Sequence, residues 1–268
     1  MPRFYGTSET LRNETVGLQL AERVQPISVH IPKHLKPVSD EQFGHYLAGL
    51  IDGNGHFSSK QELVIVFDLL DASLAFYIKK RLSYGSIKKV KDKNAFLLVI
   101  AAKKGLEKVI ELINGKIRTE NKFNQINNKI LNHDSYAEFK KTINLKLNYN
   151  KDFKNHWLAG FSDADADASF QIKVIKPKAV NLNSRTADGN ADRVELKLNY
   201  EICAPQQALR DKDNILLLIK DFLGGNIGYI KSQDTYSYCS SSYGSARKII
   251  GYFDYFHLLS SKHINYLK

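Results

Sequence analysis

Apolar residues recur along this chain with two periods, and the order in which the periods alternate is repeated once. Ala72 to Leu82 reads as a helix with Leu74, Ala75, Ile78 and Leu82 on one face, and Lys104 to Ile117 as another through Leu106, Val109, Ile110 and Ile113. Between and before them lie strand-like runs. Glu62 to Phe67 is one, and Ser86 to Lys93 with Asn94 to Ala101 forms a hairpin through Lys91-Asp92-Lys93-Asn94. The second half repeats the series. Gln171 to Lys176 reads as a strand, and Arg193 to Ile202 alternates polar with apolar residues at every step. Asn214 to Leu223 reads as a helix, Gly225 to Ser232 with Thr235 to Ser242 as a hairpin, and Ser245 to Phe256 as the last main helix. Gly85-Ser86-Ile87 and Gly225-Asn226-Ile227 open the two hairpins, 140 residues apart. This pattern predicts an α+β fold in two similar halves.

Each half begins on the same stretch. His45-Tyr46-Leu47-Ala48-Gly49-Leu50-Ile51-Asp52-Gly53-Asn54-Gly55 has a near-copy 111 residues on, His156-Trp157-Leu158-Ala159-Gly160-Phe161-Ser162-Asp163-Ala164-Asp165. Ser39 with Gln42 has capping-box spacing before the first copy, and Asn150 or Asp152 can cap the second. A glycine inside a helix costs about 0.5–1 kcal/mol relative to alanine, so Gly49 and Gly160 point to a packing need. The simplest is close approach of the two helices. Packed in parallel, they bring Asp52, Asn54, Asp163, Asp165 and Asp167 to one place, where helix C-termini and carboxylates favour a hard cation such as Mg²⁺. The competing reading, aspartates as plain turn residues, is weakened by the in-phase duplication.

The spacing between copies grows from 111 residues at the motifs to 140 at the hairpins, and Pro177 to Asp192 takes up most of the difference as a loop. Residues 1–38 read as an N-terminal extension with prolines at 2, 26, 32 and 37, and Glu9, Glu14 and Glu22 are unlike a transit peptide. The 268-residue chain carries a formal net charge of +11, which favours a polyanionic partner, nucleic acid ahead of an acidic membrane surface. No apolar run approaches the ~18 residues of a membrane span. Cys203 and Cys239 have no metal-ligand spacing and read as buried strand thiols.

The paired motifs resemble the two signature motifs of the LAGLIDADG homing endonucleases in their single-chain, two-repeat form, over residues 39–268. The resemblance implies two pseudo-symmetric αββαββα repeats with a saddle-shaped β surface for DNA. It divides the chain into an extension (1–38), a first repeat (39–132), a linker (133–151) and a second repeat (152–268). It implies a monomeric, site-specific endonuclease that hydrolyses phosphodiester bonds in duplex DNA with Mg²⁺ or Mn²⁺, Ca²⁺ being a non-cleaving substitute. The acidic residue at the eighth motif position binds the metal in that family. Here it is Asp165 in the second copy. In the first it is Asn54, a neutral amide that lowers the charge of the site. Counted back from the following strand, Asp167 takes the place of Asp165; counting from the helix, which sets the metal position, favours Asp165. Asn54 gives weight to an alternative on the same scaffold, an intron RNA maturase or a DNA binder that does not cut.

The family also carries a basic residue near the scissile phosphates, for which Lys122 and Lys262 pair at the hairpin spacing, and often a polar side chain near the attacking water, for which Gln206 or Gln207 fits. A β-ribbon fits the DNA major groove, so polar strand and turn residues become candidate readers: Lys60, Gln61, Lys88, Lys91, Gln171, Lys173, Arg193, Lys197, Asn199, Lys231 and Gln233. The Lys-, Asn- and Ile-rich composition suits an AT-rich organelle genome, and the resemblance implies a mitochondrion or chloroplast.

Overall fold

A computed structural model describes residues 36–164, 169–175, 195–205, 215–232, 234–240 and 242–267, with backbone alone considered for 169–175, 195–199 and 203–205. The chain divides into Met1–His34 and Leu35–Lys268, and all described residues belong to the second unit.

The first half runs α1 (Asp40–Asn54), β1 (Gly55–Ser58), β2 (Glu62–Asp68), α2 (Ala72–Leu82), β3 (Ser86–Lys89), β4 (Ala95–Ile100) and α3 (Lys103–Ile113). The second runs α6 (Trp157–Ala164), β5 (Ser169–Ile175), β6 (Glu195–Pro205), α7 (Ile215–Leu223), β7 (Asn226–Ile230), β8 (Thr235–Cys239) and α8 (Tyr243–Tyr255), then α9 (Lys262–Leu267). Between them lie α4 (Glu120–Ile126), continued by a π turn over Asn127–Leu131, and α5 (Ala137–Thr142). The strands form two four-stranded antiparallel sheets of the same topology, β1-β2-β4-β3 and β5-β6-β8-β7. The α+β class and duplicated order are as the sequence pattern predicts.

Both faces of the first sheet are settled by burial. Leu63, Ile65, Phe67, Leu98 and Ile100 are at most 5 % exposed and face the core with Leu74, Ile78, Leu106, Val109 and Ile110 from α2 and α3. The residues between them face outward.

Several boundaries differ from expectation for local reasons. Ser39 does cap α1 by accepting from the Gln42 amide (3.2 Å), but the Gln42 side chain returns to Val38 N (2.9 Å) instead of to the cap residue. The second motif helix starts only at Trp157, whose amide is bonded by Asn155 Oδ1 (2.9 Å); the carbonyls of Asn150 and Asp152 instead accept from the Arg118 guanidinium. Helix α3 stops at Ile113, short of Ile117, because Asn114 turns to bond Asn144 O and Lys146 N while Ile117 O accepts from Asn148 N. The connection between halves is therefore laid against the core. Tyr136, Phe139 and Phe153 are buried in it.

Candidate active site and nucleic-acid interface

Helices α1 and α6 touch through their backbones. A Cβ on Gly49 would stand 1.9 Å from Trp157 O, one on Gly160 2.0 Å from Tyr46 O, and one on Gly53 2.5 Å from the Ala164 Cβ. Glycine is thus required at 49 and 160, and the order of contacts makes the helices parallel with Gly53 beside Ala164 at their C-terminal ends. Two buried hydrogen bonds cross the pair reciprocally. Tyr46 Oη donates to Asp163 Oδ2 (2.6 Å), and Trp157 Nε1 donates to Asp52 Oδ2 (2.9 Å). Tyr46 and Trp157 are equivalent motif positions, as are Asp52 and Asp163.

These two aspartates face inward, each 6 % exposed, and are held by hydrogen bonds inside the protein. Asp52 accepts from four donors: Arg118 N (2.8 Å), Thr119 N (3.3 Å), Thr119 Oγ1 (2.6 Å) and Trp157 Nε1. Asp163 accepts from Leu259 N (2.7 Å), Ser260 Oγ and Tyr46 Oη. Each carboxylate thereby pins the turn that follows the last helix of its own half. Burial pushes the Asp52 carboxyl up to about 6, against the pull of Thr119, Arg118 and Trp157. Burial raises Asp163 as well, while Ser260, Tyr46, Leu259 and Lys262 pull it down. Arg118, 2 % exposed, stacks over Phe153 (4.4 Å) and Trp157 (5.3 Å), tying the connection to the second motif.

Asn54 is the last residue of α1 and half-buried. Its Nδ2 donates to Val66 O (3.0 Å). A carbonyl can only accept, so this contact fixes the amide flip and turns Oδ1 away from Val66. Asp165, Asp167 and Gln207 lie outside the described residues, as do Gln206, Arg193 and Gln233. Among the described residues no group of three or more His, Cys, Asp and Glu side chains could hold a metal.

Lys262 reaches the end of α6, with Nζ donating to the carbonyls of Ser162 and Asp163 (both 3.1 Å). Lys122 lies half-buried on α4; burial lowers its pKa, partly offset by the Asp52 charge. The hydrogen bonds shift the expected pairing of these lysines. Arg118 and Thr119 bind Asp52 as Leu259 and Ser260 bind Asp163, a spacing of 141, so the counterpart of Lys262 is Asn121 and that of Lys122 is His263. One residue more lies between the hairpin and this turn in the second half.

Of the candidate readers, Lys88 is exposed on the outward face of β3, opposite Leu97, while Lys60, Lys91 and Lys231 are exposed in turns. Gln61 is held down, its Nε2 donating to Ser59 O and Lys129 O. Gln171 pairs with Asn199 and Lys173 with Lys197 in register, at strand positions of opposite parity to the buried Tyr200 and Ile202.

A family profile described as LAGLIDADG endonuclease matches residues 158–268. A cox1 intron-2 protein of Schizosaccharomyces pombe is 57 % identical over 264 residues, 98 % of this chain and 73 % of that protein. The chain belongs to the LAGLIDADG endonuclease family. The intron-encoded DNA endonuclease aI3 of Saccharomyces cerevisiae is 28 % identical over 85 % of this chain, which spans only 62 % of that relative. Among solved structures, the meganuclease I-SmaMI bound to uncleaveable DNA shares the fold at TM-score 0.57 and 19 % identity, over 84 % of this chain and 88 % of its own. As a LAGLIDADG chain it carries its signature helices as the interface between halves. Sequence reading missed the roles of Tyr46, Trp157, Arg118 and Thr119 there. The 111-residue repeat pairs Tyr46 with Trp157, and that was the one signal available.

Proposed function

We propose that this chain binds a long double-stranded DNA site as a monomer, through the outward faces of its two sheets, and hydrolyses phosphodiester bonds with a divalent cation, cutting one strand in preference to the other. The observation that carries the asymmetry is the Asn54 amide bonded to Val66 O, at the position where the second copy has Asp165. Family membership, the net charge of +11 and the names of the relatives support the nuclease reading.

The donors suit a hard, oxygen-seeking cation only in part. Asn54 Oδ1 is turned away from its backbone partner at a helix C-terminus, which favours positive charge. Being neutral, it contributes less than a carboxylate. Asn54 and Asp165 would hold the cation, Mg²⁺ or Mn²⁺, with Ca²⁺ filling the site without supporting cleavage. When bound it would activate a water and stabilise charge on the phosphate. Lys262, fixed at the end of α6, and Lys122 supply positive charge for phosphate oxygens. The cox1 intron origin of the Schizosaccharomyces pombe relative supports a mitochondrial gene and location.

Asn54 also favours a second reading, a maturase that binds its intron RNA without cutting DNA. Selection of a random duplex library on the full chain with Ca²⁺ separates the two. Enrichment of one long duplex sequence is the expected result. Tight binding to structured intron RNA with no duplex enriched would overturn the endonuclease reading.

A further inference from the structure

The two sheets share topology but not outward chemistry. In the first, Val64 pairs with Val99 and Val66 with Leu97 across the two central strands, forming a contiguous apolar block on the face away from the core. Val66 is 39 % exposed, and the other three are half-buried. The equivalent positions of the second sheet hold Glu201 opposite Cys239 and Cys203 opposite Ser237. Polar groups rim the block: His56 opposite Val64, Ser86 opposite Val99, Lys88 opposite Leu97, with Glu62 and Asp68 at the ends of β2.

We propose that Val64, Val66, Leu97 and Val99 read thymine 5-methyl groups in the major groove, so that the half-site under the first sheet is defined by apolar contact. The proposal rests on the DNA-binding reading above. Valine and leucine side chains have no hydrogen-bonding atom, and the thymine methyl is the one apolar feature that distinguishes a base pair in the major groove. Glu62 on the rim suits a cytosine amino group, and Lys88 suits guanine or a phosphate. Four small side chains are far fewer than the 20–30 residues a side of a stable protein interface, and the lysines beside them at 60, 88 and 91 complement phosphate, not protein apolar surface.

The test uses the duplex enriched on the full chain, resynthesised with deoxyuridine for thymine in one half-site at a time. Deoxyuridine keeps the pairing and removes only the methyl. Binding is expected to weaken about fourfold for each contacted methyl in one half-site and to change little in the other. In Val64→Thr/Val66→Thr, which keeps β-branched residues in the strand, binding to the thymine duplex falls and the deoxyuridine penalty in that half-site shrinks toward none. A duplex bound equally with and without its methyls, or a penalty unchanged in the variant, overturns this proposal and leaves DNA binding intact. So does a variant altered only in oligomeric mass, which assigns the block to a second copy. Failure to enrich any duplex overturns the DNA-binding reading and this proposal with it.

Discussion

At Asn54 a single atom decides which chemistry the first motif offers. An aspartate there would set a carboxylate oxygen against Val66 O, 3.0 Å from the present amide nitrogen, so the side chain has to turn away and the Val66 carbonyl loses its donor. Asn54→Asp is therefore expected to lower stability in EDTA by about 1 kcal/mol and to regain part of it with Mg²⁺, measured by melting. Equal melting with and without the ion would count against a cation at this position. Asp52 makes a second residue-scale prediction. With its carboxyl raised to about 6, its contribution to stability is complete below the ordinary carboxylate value and is lost as pH rises through about 6. Thr119 Oγ1 bonds the ionised form. Thr119→Val should then cost about 1.5–3 kcal/mol near pH 8 and clearly less near pH 5, followed by fluorescence of Trp157, the one tryptophan of the chain. Identical losses at both pH values would show that the bond does not depend on the carboxylate charge.

The motif helices are where sequence and structure agree most closely, and their glycines give the sharpest test at the scale of elements. Gly49→Ala and Gly160→Ala each drive a methyl into a backbone carbonyl of the facing helix, so each should cost about 3 kcal/mol or more in chemical denaturation. Gly251→Ala, in the exposed middle of α8 with nothing near its Cβ, should instead stabilise by about 0.5–1 kcal/mol. Helix packing was legible because a costly glycine repeated at the same motif position has few explanations. The faces of β2 were not legible: Leu63 to Phe67 is apolar on both sides, and only burial tells Leu63, Ile65 and Phe67 from Val64 and Val66. The helix boundaries after α3 and before α6 were hidden too, because they depend on side chains that reach distant backbone carbonyls, Asn114 to that of Asn144 and Arg118 to that of Asn150.

For the whole molecule, the duplication and the charge were readable from the sequence, and so was the asymmetry between halves in loop length and at the eighth motif position. Asn54 announced it, but the contrast between a valine- and leucine-bearing first sheet and a more polar second one emerges only from strand register. If the sheets and their lysines lie along duplex phosphates, affinity should fall about 10³-fold between 50 and 200 mM salt, as for about six phosphate contacts. A change below about tenfold would contradict a long DNA footprint. The most direct measurement is on supercoiled plasmid carrying the enriched site, incubated with Mg²⁺ and this chain, Asn54→Asp or Asp165→Asn. The chain itself is expected to accumulate nicked circles, Asn54→Asp to yield linear DNA, and Asp165→Asn to bind without cutting. Linear product from the unmodified chain at the rate of Asn54→Asp would contradict the account of an asymmetric site.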